Sequence, residues 1–488
     1  MSVNYKYIIR VIGFLFLLLG LGIIPSLFMA LYLGDQLCER AFSYTLFFCI
    51  LAGLIIIWIC KPTEKKVKIR DRILMVSLMW LLGSVVGAAP YWLSGAIPSL
   101  IDSVFESASG ISTTGATILE DPMTLPKALL LWRATESWLG GIGIVAFASA
   151  ILPPINVESQ RLTSRDDPGF SFRGFRITLT DTSRKLTSLY CMFTGALFLL
   201  LTGCGMSLYD AALHTMSTIS TSGFSCYPDS IAHFQSPLIS WIVIFFMFLS
   251  GINFNLYFVM LRRGIRYMLR DEELRVYLAL IGSFILMIFL NLQMNGTYAN
   301  GAEGFTDAAF QTVSMISTTG FHTADYTMWP TFTSMLLLLL IMMGACSFST
   351  GSGPRIVRII VSYKLARREL RLRIHPNQIR MVTLNGQNMP QETATNIANY
   401  MFFYFAILFA GSLLVAVSGP DLISAFTAVI SCVCNVGCGF GAVGASGTFC
   451  GFHGFSKIVL AVLMIAGRLD LFAFFMLFSP HFWDSNRA

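Results

Sequence analysis

The sequence predicts an all-α polytopic membrane protein: two N-terminal transmembrane helices, then four pseudo-symmetric repeats of helix, short helix and helix. Three observations carry this. Only 12% of the 488 residues are charged and 55% are hydrophobic, whereas an ordinary soluble domain carries roughly 25% charge. Apolar stretches of about 20 residues, enough to cross a bilayer as a helix, recur along the chain. A Gly-centred turn returns four times, always between two such stretches. The same numbers exclude a soluble globular protein and intrinsic disorder.

Charge-free runs cover Val11–Gly34, Ala41–Cys60, Ile73–Ile101, Ser137–Val157, Leu186–Tyr209, Ser230–Leu261, Val276–Ala302, Tyr326–Pro354 and Thr393–Pro420. A last span, Ile458–Phe482, carries Arg468 and Asp470, which makes ten spans. The first run is too long for a signal peptide and lacks a small-residue cleavage site, so it reads as a retained helix. If the ten spans alternate, 28 of the 33 Lys and Arg residues fall on one side. They occupy the N-terminus, segments 61–72, 153–186, 262–275 and 355–380, and Arg487. Positive residues stay inside, so that side and both termini are cytoplasmic. The exceptions are Arg40, Lys127, Arg133, Lys457 and Arg468. Topology thus explains the +7 net charge, and no nucleic-acid partner is needed. The 11 cysteines, odd in number and mostly inside apolar runs, read as buried thiols rather than a disulfide framework. Cys432, Cys434 and Cys438 lack the convergent partners of a metal site.

The four turns read Ile111-Ser112-Thr113-Thr114-Gly115, Ile219-Ser220-Thr221-Ser222-Gly223, Ile316-Ser317-Thr318-Thr319-Gly320 and the divergent Cys434-Asn435-Val436-Gly437. Thirteen residues before each Gly stands Asp102, Asp210, Asp307 or Ser424, all good helix N-caps. The bodies Ser103–Ser112, Ala211–Ser220 and Ala308–Ser317 are then helices of roughly 15 Å, half the hydrocarbon thickness. Such a helix stops at mid-membrane and must turn back. Non-helical backbone is tolerated there only inside protein or beside a water-filled cavity. Four equivalent turns therefore meet around one axis, each helix aiming its negative end inward. Their carbonyls replace a cation's water shell, Gly permits positive φ and close approach, and Ser and Thr add hydroxyl oxygens. This describes a central cation pore. Its expected lining is Thr113, Thr114, Gly115, Thr221, Ser222, Gly223, Thr318, Thr319, Gly320, Asn435, Val436 and Gly437. The expected units are 1–68 (the two N-terminal helices), 69–160, 161–270, 271–385 and 386–488.

These residues resemble the TrkH/KtrB superfamily of potassium-translocating subunits, over nearly the whole chain. Gly115, Gly223, Gly320 and Gly437 fall on that family's filter glycines. Ala345–Gly353 looks like its broken third-repeat helix, and Gly467-Arg468-Leu469-Asp470 looks like its last-helix motif. His375-Pro376-Asn377 also recurs there. The two extra N-terminal spans favour the TrkH/TrkG branch. The resemblance implies a non-enzymatic role: K⁺ uptake across the bacterial inner membrane by a homodimer, regulated by a cytosolic TrkA-type nucleotide-binding ring. K⁺ is then the transported ion, bound at the filter only, with no covalently attached cofactor. The chain departs from the family pattern at Cys438, commonly Pro, at Ser222, and at Phe348 and Ser352, commonly small or Gly.

Two glycines followed by Pro354 predict a helix interruption after Met343. It is either a packing kink at the helix's cytoplasmic end or an intramembrane loop. The resemblance implies the loop, a gate built from Gly344, Ala345, Cys346, Ser347, Ser349, Thr350, Gly351 and Gly353. Arg468, a charge at membrane depth, must face a cavity or a partner. Asp470 is a poor partner, because residues two apart on a helix do not face each other. The expectation is that Arg468 lies beneath the filter, repels cations and holds the gate loop through carbonyl contacts. Glu106 is either a buried brace or a vestibule charge. His322, just past a filter turn, is expected in the outer vestibule with pH sensitivity between roughly pH 5 and 8. Two transport alternatives remain: symport of K⁺ with H⁺ or Na⁺, with Glu106 and Asp470 as titratable candidates, and a Na⁺-permeable pore. No nucleophile–base set supports an intramembrane enzyme, and no phosphate-binding or dinucleotide motif occurs. Segments 153–186, 262–275 and 355–395 are the available docking surfaces for a cytosolic partner or anionic lipid.

Overall fold

The computed structural model describes residues 4–61, 69–151, 172–375 and 381–483. Among them the fold is helical apart from one hairpin, Thr383–Leu384 with Gln387–Asn388. Its Asn385-Gly386 turn has both φ values positive, as a two-residue hairpin turn requires.

Helices Tyr5–Leu33 and Gln36–Ile59 form an antiparallel pair. Gly34, left-handed at φ 69°, ends the first, and the Asp35 side chain caps the second by accepting from Cys38 N–H. Gly13 and Gly53 let the two backbones touch: a Cβ on Gly53 would stand 2.9 Å from the Gly13 carbonyl oxygen. Small residues at such contacts are how helices pack where water supplies no hydrophobic drive. The first helix also rests on Lys127–Ile151.

Six described helices are unbroken and apolar enough to cross a membrane. The second helices of three repeats are broken: in the third this is the expected interruption, and in the second and fourth it corrects the simple spans. The Ser230–Leu261 run is two helices, Pro237–Gly251 and Phe254–Arg263, bent by 90°. The physical reason is local: Ile252 is extended, and the Asn253 side chain caps the new helix by accepting from Asn255 N–H at 3.0 Å. A charge-free run hides such a cap. The Tyr326–Pro354 run holds the helix Thr331–Met343, a loop, and then Ile356–Ile374. The Ile458–Phe482 run breaks at Asp470, φ 89°, between Gly454–Leu469 and Leu471–Met476.

The short helices are Leu100–Ile111, Leu208–Ser220, Gly301–Ile316 and Leu422–Cys434. Their caps are Ser99, Ser207, Asn300 and Asp421, so the expected caps Asp102, Asp210, Asp307 and Ser424 are wrong. In three repeats the expected cap stands three residues inside the helix, where its backbone N–H donates to the true cap. Ser207 Oγ also donates to the Asp210 carboxylate at 2.7 Å. In the first two repeats a Ser-x-x-Asp start pairs cap and third residue, and the more acidic member had masked the real one; in the fourth the order is reversed, and Asp421 caps Ser424 N–H. Asp307 lies further in and accepts from Tyr298 and Thr323 instead.

Each repeat's second helix packs on the short helix of the next, in the sequence one to two, two to three, three to four and four back to one. The four units close a ring.

Candidate functional site: a ring of four turns over a tethered loop

All four short helices end in the same way. Thr113, Thr221, Thr318 and Asn435 take left-handed φ values of 54–59°. The next residue's N–H then reaches back to a carbonyl five residues earlier: Thr114 to Ser109, Ser222 to Ser217, Thr319 to Ser314 and Val436 to Ser431, at 2.8–2.9 Å. This Schellman-type closure satisfies orphan carbonyls at the helix end. The glycine that follows has φ of 70–86° in every repeat.

Those glycines meet each other's neighbours around a circle. A Cβ on Gly115 would collide with the Ser222 carbonyl oxygen, and one on Gly223 with that of Thr319. Gly320 stands likewise against Val436 O, and Gly437 against Thr114 O. The turns therefore form a closed ring of backbone carbonyls, reachable only because each contact residue lacks a side chain. All four glycines line one recess of about 80 Å³, which the outer loop residues Glu120, His322 and Ser446 also line.

Hydroxyls brace the walls. Ser112 and Thr114 share a hydrogen bond of 2.7 Å, as do Ser317 and Thr319, and Ser220 donates to Ser222 at 3.2 Å. The fourth wall differs. Cys434 pairs with Tyr404, Val436 has no hydroxyl, and Asn435 Nδ2 donates to Thr114 Oγ1 of the neighbouring first turn at 2.7 Å and to Met464 O at 2.9 Å. Cys438, in place of the proline, lies 3.6 Å from the Gly320 carbonyl.

Glu106 is a brace. Its carboxylate is buried, accepts from Thr117 Oγ1 and Ile118 N–H, and stands 2.7 Å from Arg133 Nε. Arg133 in turn lies 3.7 Å over the Phe224 ring. This one counter-ion lets a cation sit beside the outer recess. Glu106→Gln is expected to destabilise the protein by about 3 kcal/mol by stranding the buried guanidinium. Unfolding in detergent measures it, and adding Arg133→Met should recover part of the loss. Glu136, which composition alone did not single out, is buried behind the same short helix, where Tyr91 and Ser107 donate to it. Only its spacing, one turn before Gly140, could have drawn notice.

His322 lies in the outer loop past the third turn, 9% exposed, with Nε2 unpartnered. Burial pushes its pKa down to about 4, so it stays neutral from pH 5 to 8 and the expected sensitivity is corrected. The unfolded chain binds the proton first, so this group's contribution is present above about pH 6.5 and is lost as pH falls toward 4. His322→Asn should leave the pH profile of uptake unchanged between 5 and 8 and flatten the acid loss of stability.

Below the ring, Gly344 (φ 71°) and Gly353 (φ 83°) pinch the loop's ends together. The loop hangs on the break in the second repeat. Ser250 O accepts from Thr350 N–H and Oγ1, Gly251 O from Cys346 N–H, and Phe348 O from Phe254 N–H. Ser349 Oγ closes the turn onto Cys346 O at 2.6 Å. Glu273 caps the loop from below, accepting from Ser347 N–H at 2.7 Å and Val357 N–H at 3.2 Å. Its apex touches the ring: Ser352 N–H donates to Thr318 Oγ1 at 2.9 Å, and a Cβ on Gly351 would stand 2.9 Å from Ser317 O, with Ala345 on its other side.

Arg468 is 3% exposed and holds this loop, donating from Nη1 to Thr350 O at 2.7 Å and to Ser352 Oγ at 2.8 Å. Asp470 pairs instead with Arg358 at 2.6 Å, and Arg358 lies 3.7 Å over Tyr400. Arg355, Arg358 and Arg468 line one small recess under the loop. Arg355 and Arg358 were expected as cytoplasmic orientation charges on a docking surface, and Arg358 instead is buried against Asp470 and Tyr400. Pro376 and Asn377 of the His-Pro-Asn motif lie outside the described residues.

A closed ring of four carbonyl-bearing turns in a four-repeat helical membrane protein, with a tethered loop beneath, defines the class: a pore-type cation transport protein. The chain belongs to the TrkH family, described as "Cation transport protein", which matches residues 39–485. It is 33% identical to the Trk system potassium uptake protein TrkH of Escherichia coli (strain K12), over 98% of this chain and 99% of that one. It is 31% identical to TrkG of the same strain, over 99% of each. The crystal structure of the potassium transporter TrkH from Vibrio parahaemolyticus superposes with a TM-score of 0.90 at 30% identity, covering 99% of this chain and 100% of that one.

Proposed function

We propose that this chain takes up potassium through the ring, which acts as a selectivity filter, and that the loop at Gly344–Gly353 is its gate. The carrying observation is the closure of four turns, each glycine against the next turn's carbonyl. Carbonyl rings of this kind replace a cation's hydration shell, and the names of the relatives supply the ion. The filter residues are Thr113–Gly115, Thr221–Gly223, Thr318–Gly320 and Asn435–Gly437, and the units 69–160, 161–270, 271–385 and 386–488 each supply one wall. The chain is not an enzyme, K⁺ is cargo, and no covalent cofactor is required. It resides in the bacterial inner membrane with both termini cytoplasmic, a reading supported by the one-sided Lys and Arg distribution. It works as a homodimer with a cytosolic TrkA-type ring, as the family resemblance implies, and the Trk system names of its relatives support association with further subunits.

The test is rubidium-tracer uptake into proteoliposomes holding this protein alone, under an imposed K⁺ potential and no proton gradient. Uptake that follows the potential establishes a channel-like pore. Uptake appearing only with a proton or Na⁺ gradient sinks that mechanism in favour of symport, and equal Na⁺ and K⁺ flux sinks potassium selectivity.

A further inference from the structure

We propose that the bent segment 254–270 is an inner-leaflet docking surface for anionic phospholipid headgroups. The proposal rests on the membrane orientation given above and not on the transported ion. The helix Pro237–Gly251 has 15 residues, about 22 Å, less than the roughly 30 Å of hydrocarbon that a full crossing needs. Phe254–Arg263 then leaves at 90°, so it does not continue the crossing, and a course along the inner leaflet is part of the proposal. Its root is fixed to the protein, with Phe254 and Tyr257 packed on Phe193 at ring distances of 6.1 and 5.3 Å.

Beyond the root, the surface is bare. Leu261, Ile265 and Leu269 are exposed by 73, 59 and 46%. Gly264, at φ 91°, separates Phe254–Arg263 from the short helix Ile265–Met268, and along both pieces Arg262, Arg263, Arg266 and Arg270 are interspersed with those apolar residues, all exposed, Arg270 lying 5.2 Å over the Tyr267 ring. Among the described residues, none of these four arginines forms an ion pair. The segment contains no acid, and the three acids that follow are engaged elsewhere. Asp271 accepts from Leu274 N–H and Asn385 Nδ2, Glu272 pairs with Lys364, and Glu273 holds the loop. Apolar side chains reaching into acyl chains, with guanidinium groups at headgroup level, are what an interfacial helix needs, and guanidinium matches phosphate geometry. A second copy is a poor occupant, because a twofold interface would set four unpaired arginines against four more.

The full chain is reconstituted in phosphatidylcholine vesicles with a minor fraction of phosphatidylglycerol. Spin-labelled phosphatidylglycerol and phosphatidylcholine then report which lipid is immobilised at the protein. A preference for phosphatidylglycerol is expected, weakened by salt and insensitive to inorganic phosphate in the buffer. The quadruple variant R262Q/R263Q/R266Q/R270Q should lower it at least fivefold, the size of one arginine–headgroup contact, and the corresponding four-lysine variant should keep most of it. Should the glutamine variant not fold, Arg266→Gln alone gives the same reading from an exposed turn. An unchanged preference in the glutamine variants, displacement by inorganic phosphate, or a switch from dimer to monomer with lipid preference intact would each overturn the proposal. The measurement needs no ion flux, so its failure is separable from that of the potassium reading.

Discussion

Gly320→Ala is expected to abolish selective uptake while the protein still inserts and folds. Alanine at φ 83° costs about 1–2 kcal/mol of backbone strain, a loss the large buried core can absorb. The functional cost is greater. The new Cβ would overlap Val436 O, so either that carbonyl turns out of the ring or the third turn retreats from the axis. Either way one wall's dipole leaves a low-dielectric site. Removing one oriented dipole from a preorganised charged site costs about 3 kcal/mol elsewhere, roughly a hundredfold in rate. Potassium-driven rubidium uptake should fall by about that factor, and the K⁺-to-Na⁺ ratio should collapse. Gly223→Ala, which meets Thr319 O in the same way, should behave alike. By contrast Gly203→Ala meets nothing and should transport normally. Wild-type selectivity in the Gly320 variant would remove the ring from the permeation path.

The ring was legible because its chemistry repeats and because glycine is required by geometry rather than by packing. Three Ser-Thr-rich turns at one offset from an Asp announce a common turn, and the fourth could be found by the same offset despite sharing only its glycine. Two caps were misread because Ser-x-x-Asp contains two competent caps and the acidic one is the more conspicuous, and the other two because one offset from the glycine was carried over to Asp307 and Ser424. The bend at Ile252–Asn253 was hidden for another reason: hydropathy scores residues singly, whereas the bend is made by a capping Asn and by carbonyls to which Cys346 and Thr350 of the distant loop donate. Long-range pairings were out of reach for the same cause. Nothing local says that Asp470 chooses Arg358, 112 residues away, and so leaves Arg468 to the loop. What could be inferred was the negative statement that Arg468 and Asp470, two apart, do not pair, and it was sufficient to send Arg468 elsewhere.

Arg468→Ala is expected to raise resting rubidium flux about tenfold in proteoliposomes lacking any cytosolic partner. The loop is held by three kinds of contact: backbone bonds to the broken second-repeat helix, the Glu273 cap, and Arg468. The first two secure its flanks near residues 346–350 and 357. Arg468 supplies the charged grip on the side nearest the ring, through Thr350 O and Ser352 Oγ, beside the neutral bonds of Thr350 to Ser250 O and of Ser352 N–H to Thr318 of the ring. A charged hydrogen bond is worth about 1.5–3 kcal/mol, so losing it shifts a closed-to-open equilibrium by one to two powers of ten. The same substitution removes a buried positive charge from beneath the ring and lowers the barrier to a cation leaving inward. The two effects separate by chemistry. Arg468→Lys keeps the charge but cannot reproduce the planar donor set, so it should leak less than Ala and more than wild type. Ser352→Ala keeps the charge and the Thr350 contact, so it should leak least of the three. Equal leak in Lys and Ala would assign the whole effect to loop tethering, whereas a Lys variant as tight as wild type would assign it to the charge. Unchanged flux in all three would show that the loop is held shut by its flanks alone, with Arg468 outside the gate.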